Sequence, residues 1–288
     1  MPFTARTADA ELTPQSFRRF ADFITAELGI KMSEQKIPML QGRLQRRLRA
    51  LQLPSLEAYQ AYLFDSADAG QELADFIDAV TTNKTDFLRE AKHFDYLVET
   101  VLPALDPGAG RPFETKVWCA GCSTGEEPYT LAMVLSEYGA RRGGNFDFSI
   151  FATDVSTRVL QAAKAAIYDE ARIEPVPIEW RRKYLLRSRD PAKRCVRVAP
   201  HLRERVRFAR LNFMDEDYRV GEMFDVVFFR NVMIYFDRPT QEAVVGRLCR
   251  NLRPGGHLFT GHSESLMALD VPVRMVSSAV YRKYDVAA

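Results

Sequence analysis

The apolar run Val117-Trp118-Cys119-Ala120 stops at Gly121-Cys122-Ser123-Thr124-Gly125, and Glu126-Glu127-Pro128-Tyr129 then opens a helical pattern. A strand, a tight turn and a helix start in that order constrain the fold more than anything else in the chain. Small residues let a ligand approach the backbone closely, and the free N–H groups of a helix's first turn can donate to it. A dinucleotide loop of G-x-G-x-x-G type leaves the helix N-terminus open to phosphate. Here only Gly121 and Gly125 are glycine, and Glu126 and Glu127 sit where a pyrophosphate wants no acid. The segment therefore predicts a nucleoside pocket for a ligand with an amino group or positive charge, such as S-adenosylmethionine.

Around this loop the pattern alternates. Strands are expected at 115–119, 146–153, 206–211, 224–229 and 257–260, and helices at 126–141, 157–166 and 239–252. The runs Phe224-Asp225-Val226-Val227-Phe228-Phe229 and Phe148-Ser149-Ile150-Phe151 suit strands covered on both faces. The order implies an open, mostly parallel α/β sheet, doubly wound with helices on both sides. Upstream, residues 13–93 are helical in pattern: Leu40, Leu44, Leu48 and Leu51 form one apolar stripe, and Leu73, Phe76, Ile77 and Val80 form another. Thr13-Pro14 and Ser55 read as helix starts. We expect a helical domain at 1–92, a turn-rich linker at 93–112 and the α/β domain at 113–288. The proline- and charge-rich stretch 168–205, too long for a simple connection, reads as a small inserted β-subdomain.

Charge and cysteine content narrow the function. Of 288 residues 47% are hydrophobic, enough for one large core or one core and a smaller domain. Lys and Arg total 40 against 38 Asp and Glu, which argues against a general nucleic-acid binder. No apolar run reaches the length of a membrane span, and residues 1–12 lack a signal-peptide core, so a cytoplasmic protein is expected. Cys119, Cys122, Cys195 and Cys249 do not form a disulfide framework. The Cys119/Cys122 pair has no second pair to complete a zinc site, and His93, His201, His257 and His262 are dispersed. No metal is expected.

Several polar residues fall at the carboxyl ends of the expected strands, where open α/β sheets bind ligands. Asp154 can accept bonds from both ribose hydroxyls; alternatively, Asp154 or Ser156 can cap the following helix. Asn212-Phe213 can meet an adenine, or Asn212 can simply make a turn. Arg230-Asn231 directly follow an apolar strand and are costly to bury unless something polar is held there. Thr81-Thr82-Asn83-Lys84-Thr85 reads on its own as a helix junction. Arg43, Arg46, Arg47 and Arg49 lie on one helix with no acid between 41 and 54. They form either a solvated face or a docking surface for a negatively charged partner.

Taken together, TTNKTDFLRE (81–90), WCAGCSTGEEPY (118–129), ATD (152–154), RNVMIYFD (230–237), LRPGGHL (252–258) and GHSESL (261–266) resemble the chemoreceptor glutamate methyltransferases, the CheR family. The resemblance implies a class I S-adenosylmethionine-dependent methyltransferase domain, an N-terminal all-helical domain and a small inserted β-subdomain. It implies cofactor contacts from Asn83, Thr85, Arg89, Glu126, Asp154, Asn212, Phe213, Arg230 and Asn231, with Arg89 and Tyr235 nearest the transferred methyl. The partner it implies is the acidic cytoplasmic helical bundle of chemoreceptors, met by Arg43, Arg46, Arg47 and Arg49, with the enzyme a monomer recruited peripherally to receptor arrays. Some family members grip a receptor tail with the inserted subdomain through a glycine-containing loop. Here that loop, 187–194, has no glycine, which argues against tethering.

The implied reaction is methyl transfer from S-adenosylmethionine to a glutamate carboxylate, leaving S-adenosylhomocysteine. Glutamate, with a pKa of about 4.3, is already ionised near neutral pH, so no general base is required. The competing readings are an oxidoreductase, a catalytically silent S-adenosylmethionine sensor that docks on receptors, and a nucleic-acid methyltransferase.

Overall fold

A computed structural model describes residues 11–66, 69–108, 110–143, 145–190 and 192–284. Residues 1–10, Ala109 of the expected linker and Pro191 of the expected inserted loop lie outside them. The chain divides into two compact units, one of residues up to Thr82 with Tyr235–Asp237, the other of Asn83–Ile234 with Arg238 onward.

The first unit holds helices α1 (Pro14–Leu28), α2 (Ile37–Leu51), α3 (Leu56–Asp65) and α4 (Gly70–Val80). Thr13 caps α1 by accepting the Ser16 N–H at 3.2 Å, with Pro14 in the first turn, where no N–H is needed. Ser55 caps α3 through the Ala58 N–H, also at 3.2 Å. The stripe Leu40, Leu44 and Leu48 is buried, as are Phe76, Ile77 and Val80 of α4. At the centre Phe20 stacks on Phe76 with ring centroids 5.8 Å apart and meets Phe64 at 5.4 Å. Truncating such a ring typically costs about 3–5 kcal/mol, so Phe20 anchors this unit.

Residues 93–105 are not a linker. They continue as α5 (Lys92–Tyr96), a π-helical turn (Leu97–Val101) and α6 (Leu102–Leu105). Phe94, Leu97, Val101 and Leu102 are buried in the core that also covers Val117 and Phe228. Their helical spacing was overshadowed by the turn residues at 106–112.

The strands of the second unit are β1 (Phe113–Ala120), β2 (Phe146–Asp154), β3 (Ile167–Asp169), β4 (Leu185–Arg187), β5 (Cys195–Val198), β6 (Val206–Arg210), β7 (Phe224–Phe228), β8 (Leu252–Phe259), β9 (Val273–Ser277) and β10 (Val280–Lys283). Seven form one sheet in the order β6-β2-β1-β7-β8-β10-β9. The pairs from β6 to β8 are parallel, and β10 runs antiparallel to both β8 and β9. The strand order reverses between β1 and β7, and α7 (Glu126–Arg142) follows β1, so the switch point where such sheets bind ligands falls at the small-residue turn. The remaining helices are α8 (Thr157–Ala165), α9 (Ile178–Tyr184), α10 (Pro200–Arg203) and α11 (Arg238–Arg250). This is the open, mostly parallel sheet expected from the periodicity, in the class I methyltransferase arrangement that the family resemblance implies.

Within the segment expected as an insertion, β3, β5 and β4 make a separate antiparallel sheet. Its glycine-free turn is closed by side chains: Ser188 Oγ accepts the Asp190 N–H at 3.1 Å, and Asp190 Oδ1 accepts the Ala192 N–H at 3.0 Å. None of the described residues of 187–194 has a positive φ, so the turn does not call for glycine.

Candidate active site

The register of the two central strands builds the site. Ala120 of β1 pairs with Thr153 of β2, so the turn after β1 and Asp154 emerge side by side. The Gly121 and Cys122 N–H groups both donate to the Thr153 carbonyl, at 2.8 and 2.9 Å. Gly121 has φ +86°, and a Cβ there would stand 2.6 Å from Val232 Cγ2; at Gly125, φ +98°, it would stand 2.7 Å from the Tyr168 hydroxyl. Neither position accepts a side chain, for both steric and conformational reasons. Asp154 accepts the Ser123 N–H at 2.9 Å and the Ser156 N–H at 3.0 Å. The cap of α8 is Ser156 itself, whose Oγ accepts the Val159 N–H.

Glu126, in the first turn of α7, is 0% exposed. Thr124 Oγ1 donates to its Oε2 at 2.6 Å. Arg172 Nη2 lies 2.6 Å from Oε1, an ion-pair distance without hydrogen-bond alignment, so Oε1 is a buried acceptor that makes no hydrogen bond. Burial pushes this carboxyl above its usual range, against the opposing pull of Thr124 and Arg172.

The segment Asn83 to Glu90 is drawn to the same place. Ser123 Oγ donates to the Asn83 carbonyl at 2.8 Å, and Arg172 Nη2 donates to the Thr85 carbonyl at 2.6 Å. Thr130 Oγ1 accepts the Leu88 N–H at 3.2 Å and donates to the Glu126 carbonyl at 2.7 Å. Leu88 and Glu90 have positive φ, so the segment is sharply folded where it meets α7. Arg89 Nη1 donates to the Lys84 carbonyl at 3.1 Å.

The Arg230 side chain is held by other parts of the protein. It is 1% exposed, with Nη1 2.8 Å from Glu127 Oε2 and Nη2 3.0 Å from Glu90 Oε2. Nη2 also donates to the Arg89 carbonyl at 2.5 Å, and the guanidinium lies over the rings of Phe94 and Phe228. Two acids and a carbonyl hold this cation inside the protein, so Arg230 joins the Arg89 segment to the strand end. Its engagement of Glu127 leaves Glu126 as the acid of this turn that Arg230 does not bind, with an oxygen that makes no hydrogen bond. Glu90, although burial works the other way, is held below its usual range chiefly by Arg230.

Asn231 has φ +58°, and its Nδ2 donates to Glu90 Oε1 at 3.3 Å. Sequence reasoning missed what holds it: Glu264 accepts the N–H groups of Asn231 and Gly261 at 2.7 Å and of Ile234 at 3.2 Å. The GHSESL motif contained that acid, but Asn231 and Ile234 lie far from it in sequence. Asn212 Oδ1 accepts the Met214 N–H at 3.1 Å. Phe213 is buried edge-on to Phe229, its ring 4.0 Å from where a Gly121 Cβ would be. Tyr235 groups with the helical unit, where its carbonyl accepts the Lys31 N–H at 2.8 Å.

The cysteines and histidines add two findings. Cys119 and Cys122 are buried free thiols whose pKa values burial pushes well up, so neither is a reactive thiolate. The histidines are less dispersed than their spacing suggests: ligand atoms of His93, His262 and Glu90 all lie within 4.8 Å of one another. Arg230 already engages Glu90, and a metal ion there would face that cation.

In the helical unit the four arginines of α2 divide into pairs. Arg47 is bound by Glu72 Oε1 at 3.0 Å and by Asp75 at 2.9 Å, both from α4. Arg43 donates to the carbonyls of Val80 and Thr81 and, at 2.9 Å, to Thr82 Oγ1, completing the end of α4. The absence of acids between 41 and 54 did not foretell this neutralisation from another helix. Arg46 and Arg49 are exposed and have no ion-pair partner among the described residues. No helix among the described residues is long and apolar enough to cross a membrane.

Comparison with known proteins agrees with this geometry across nearly the whole chain. The family model "CheR methyltransferase, SAM binding domain" matches residues 83–282, and "CheR methyltransferase, all-alpha domain" matches residues 15–81. Chemotaxis protein methyltransferase 2 of Pseudomonas aeruginosa is 37% identical over 271 residues, covering 93% of each chain. The chemotaxis protein methyltransferase of Klebsiella aerogenes is 38% identical over 271 residues, covering 94% of this chain and 90% of its own. That of Escherichia coli is 37% identical over 270 residues, covering 94% and 91%. With both family models matched in order and both units present in the fold, the chain belongs to the CheR methyltransferase family.

Proposed function

We propose that this protein transfers a methyl group from S-adenosylmethionine to glutamate side chains of bacterial chemoreceptors, forming glutamyl methyl esters in chemotactic adaptation. The observation that carries the reading is the buried Glu126 carboxylate, whose Oε1 makes no hydrogen bond, beside a turn where Gly121 excludes even a Cβ. Arg172 neighbours that oxygen without hydrogen-bond alignment, and the ligand's ammonium is a cationic donor able to supply the bond.

The sulfonium cofactor supplies an electrophilic methyl group. Around it, Glu126 pairs with the ammonium, and Asp154 shares its acceptor positions between the turn's N–H groups and the ribose hydroxyls. Phe213 presents an apolar wall for the adenine beside Asn212, and Asn83, Thr85 and Asn231 contact the ligand from the flanking segments. Arg230 fixes the Arg89 segment from behind. Arg89 would orient the incoming glutamate carboxylate, and the family resemblance assigns Tyr235 a role in the methyl transfer. With the nucleophile already ionised, the protein contributes alignment and a dry, dipolar surrounding.

For receptor docking the reading rests on Arg46 and Arg49, the two arginines of α2 that are exposed and unpaired among the described residues. A basic surface meeting an acidic helical bundle steers encounter and fixes orientation. Incubation with labelled S-adenosylmethionine and receptor-bearing membranes tests the proposal. Label transferred to receptor supports it. Cofactor binding without transfer would favour a silent sensor that docks on receptors.

A further inference from the structure

We propose that Arg172 is the residue that recognises the carboxylate of the ligand's amino-acid end, and that its contact with Glu126 holds the place of the ligand's ammonium. The inference rests on the cofactor reading above and extends it to a residue from the three-stranded sheet region.

Arg172 belongs to the short 3-10 segment Glu170–Ile173, directly after β3. Its guanidinium reaches two elements of the site at once: Nη2 lies 2.6 Å from Glu126 Oε1 and donates to the Thr85 carbonyl at 2.6 Å. Asp86 Oδ1 stands 3.9 Å away. The Arg172 side chain is 41% exposed, whereas that of Glu126 is 1% exposed. The cation is therefore the movable partner and the acid the fixed one. Misalignment with Oε1 shows that the contact is Coulombic and does not satisfy that oxygen's hydrogen-bonding capacity.

A methionine-type end is a zwitterion whose ammonium and carboxylate share one carbon. When the ammonium takes the acceptor at Glu126, the carboxylate necessarily lies a few ångströms from it, within reach of the displaced guanidinium. Charges then alternate from Glu126 through ammonium and carboxylate to Arg172, and two ion pairs replace one without change of net charge. Arginine presents a planar fork of donors suited to a carboxylate. Arg230, the buried arginine of this edge, is already held by Glu127 and Glu90.

Calorimetric titration of the full chain separates the possibilities. The ligands are S-adenosylhomocysteine and its analogue lacking only the carboxylate, 5′-deoxy-5′-(3-aminopropylthio)adenosine; the proteins are wild type, Arg172→Ala and Arg172→Lys. In wild type, removing the carboxylate should weaken binding by about 10- to 100-fold, the value of a charge-assisted contact. Arg172→Ala should weaken S-adenosylhomocysteine by a similar factor and leave the analogue within about threefold, with Arg172→Lys intermediate. Retained analogue binding shows that the variant is folded. If carboxylate removal costs the same factor in wild type and Arg172→Ala, or if the variant binds both ligands more tightly, Arg172 is only a counter-ion and the proposal fails. A wild-type protein that binds neither ligand would overturn the cofactor reading itself.

Discussion

Replacing Glu126 by glutamine separates ligand binding from folding, because the structure predicts opposite effects on the two. The carboxylate is buried, and burial raises its pKa, so the folded protein holds the proton more tightly than the unfolded chain does. For an acid shifted upward, the stability it contributes is present below its unfolded pKa and is lost as pH rises through the folded value. Above its folded pKa the ionised acid is thus a net burden on the unliganded fold, and glutamine, of similar volume, relieves it. Binding should respond in the other direction. Removing one charge of a buried pair costs about 2–5 kcal/mol, and the amide oxygen retains an acceptor, so we expect about 2 kcal/mol, or about 30-fold in Kd for S-adenosylhomocysteine. Calorimetry gives the affinity, and thermal unfolding without ligand should give a Tm equal to or above that of wild type. Unchanged affinity would refute the assignment of Glu126 to the ammonium. A fall of more than about 5 °C in the unliganded Tm would show that the acid serves the fold instead.

Other substitutions probe separate parts of the account. Arg46→Glu with Arg49→Glu should lower receptor methylation severalfold with S-adenosylhomocysteine affinity unchanged, whereas Arg47→Glu should cost about 3–5 kcal/mol in a denaturant melt, because it strands the buried Glu72. Gly121→Ala should abolish cofactor binding or sharply lower Tm, since left-handed backbone costs a non-glycine residue about 1–2 kcal/mol and the Cβ would also meet Val232 at 2.6 Å. Tyr235→Phe should keep cofactor affinity in calorimetry and lower turnover in the transfer assay; unchanged turnover removes the phenol from the mechanism. Burial holds both His93 and His257 down at about 4. The unfolded chain therefore binds more protons between that value and the ordinary value of about 6.5, and these groups' contribution to stability declines as pH falls through the window. The denaturation midpoint should drop accordingly, less steeply in His257→Gln.

What the sequence made legible follows from how local the physics was. The turn after β1 could be read because positive φ and close approach demand glycine within a few residues, and because acids at a helix N-terminus argue against phosphate. The positions of the central strands followed from apolar periodicity, and with them the place of Asp154 at a strand's carboxyl end. Arg172 and Glu264 escaped notice because their partners are distant: Glu126 and Thr85 for one, Asn231 for the other. The same distance misled the reading of α2, whose Arg47 is neutralised by Glu72 and Asp75 of another helix. In 93–105, the apolar positions Phe94, Leu97 and Val101 carried a helical signal that the glycines and prolines after Asp106 obscured. The β9–β10 hairpin went unread because β9 is largely exposed and lacks the apolar run of a central strand.

The central claim is that the acceptor is a glutamate carboxylate, and the chemistry of the transferred label tests it most directly. Receptor-bearing membranes methylated with radiolabelled S-adenosylmethionine should release the label as methanol in mild alkali, and peptide mass spectra should place one added methyl on glutamate side chains. Label that survives alkali, or that resides on nucleic acid or on another side chain, would contradict the account.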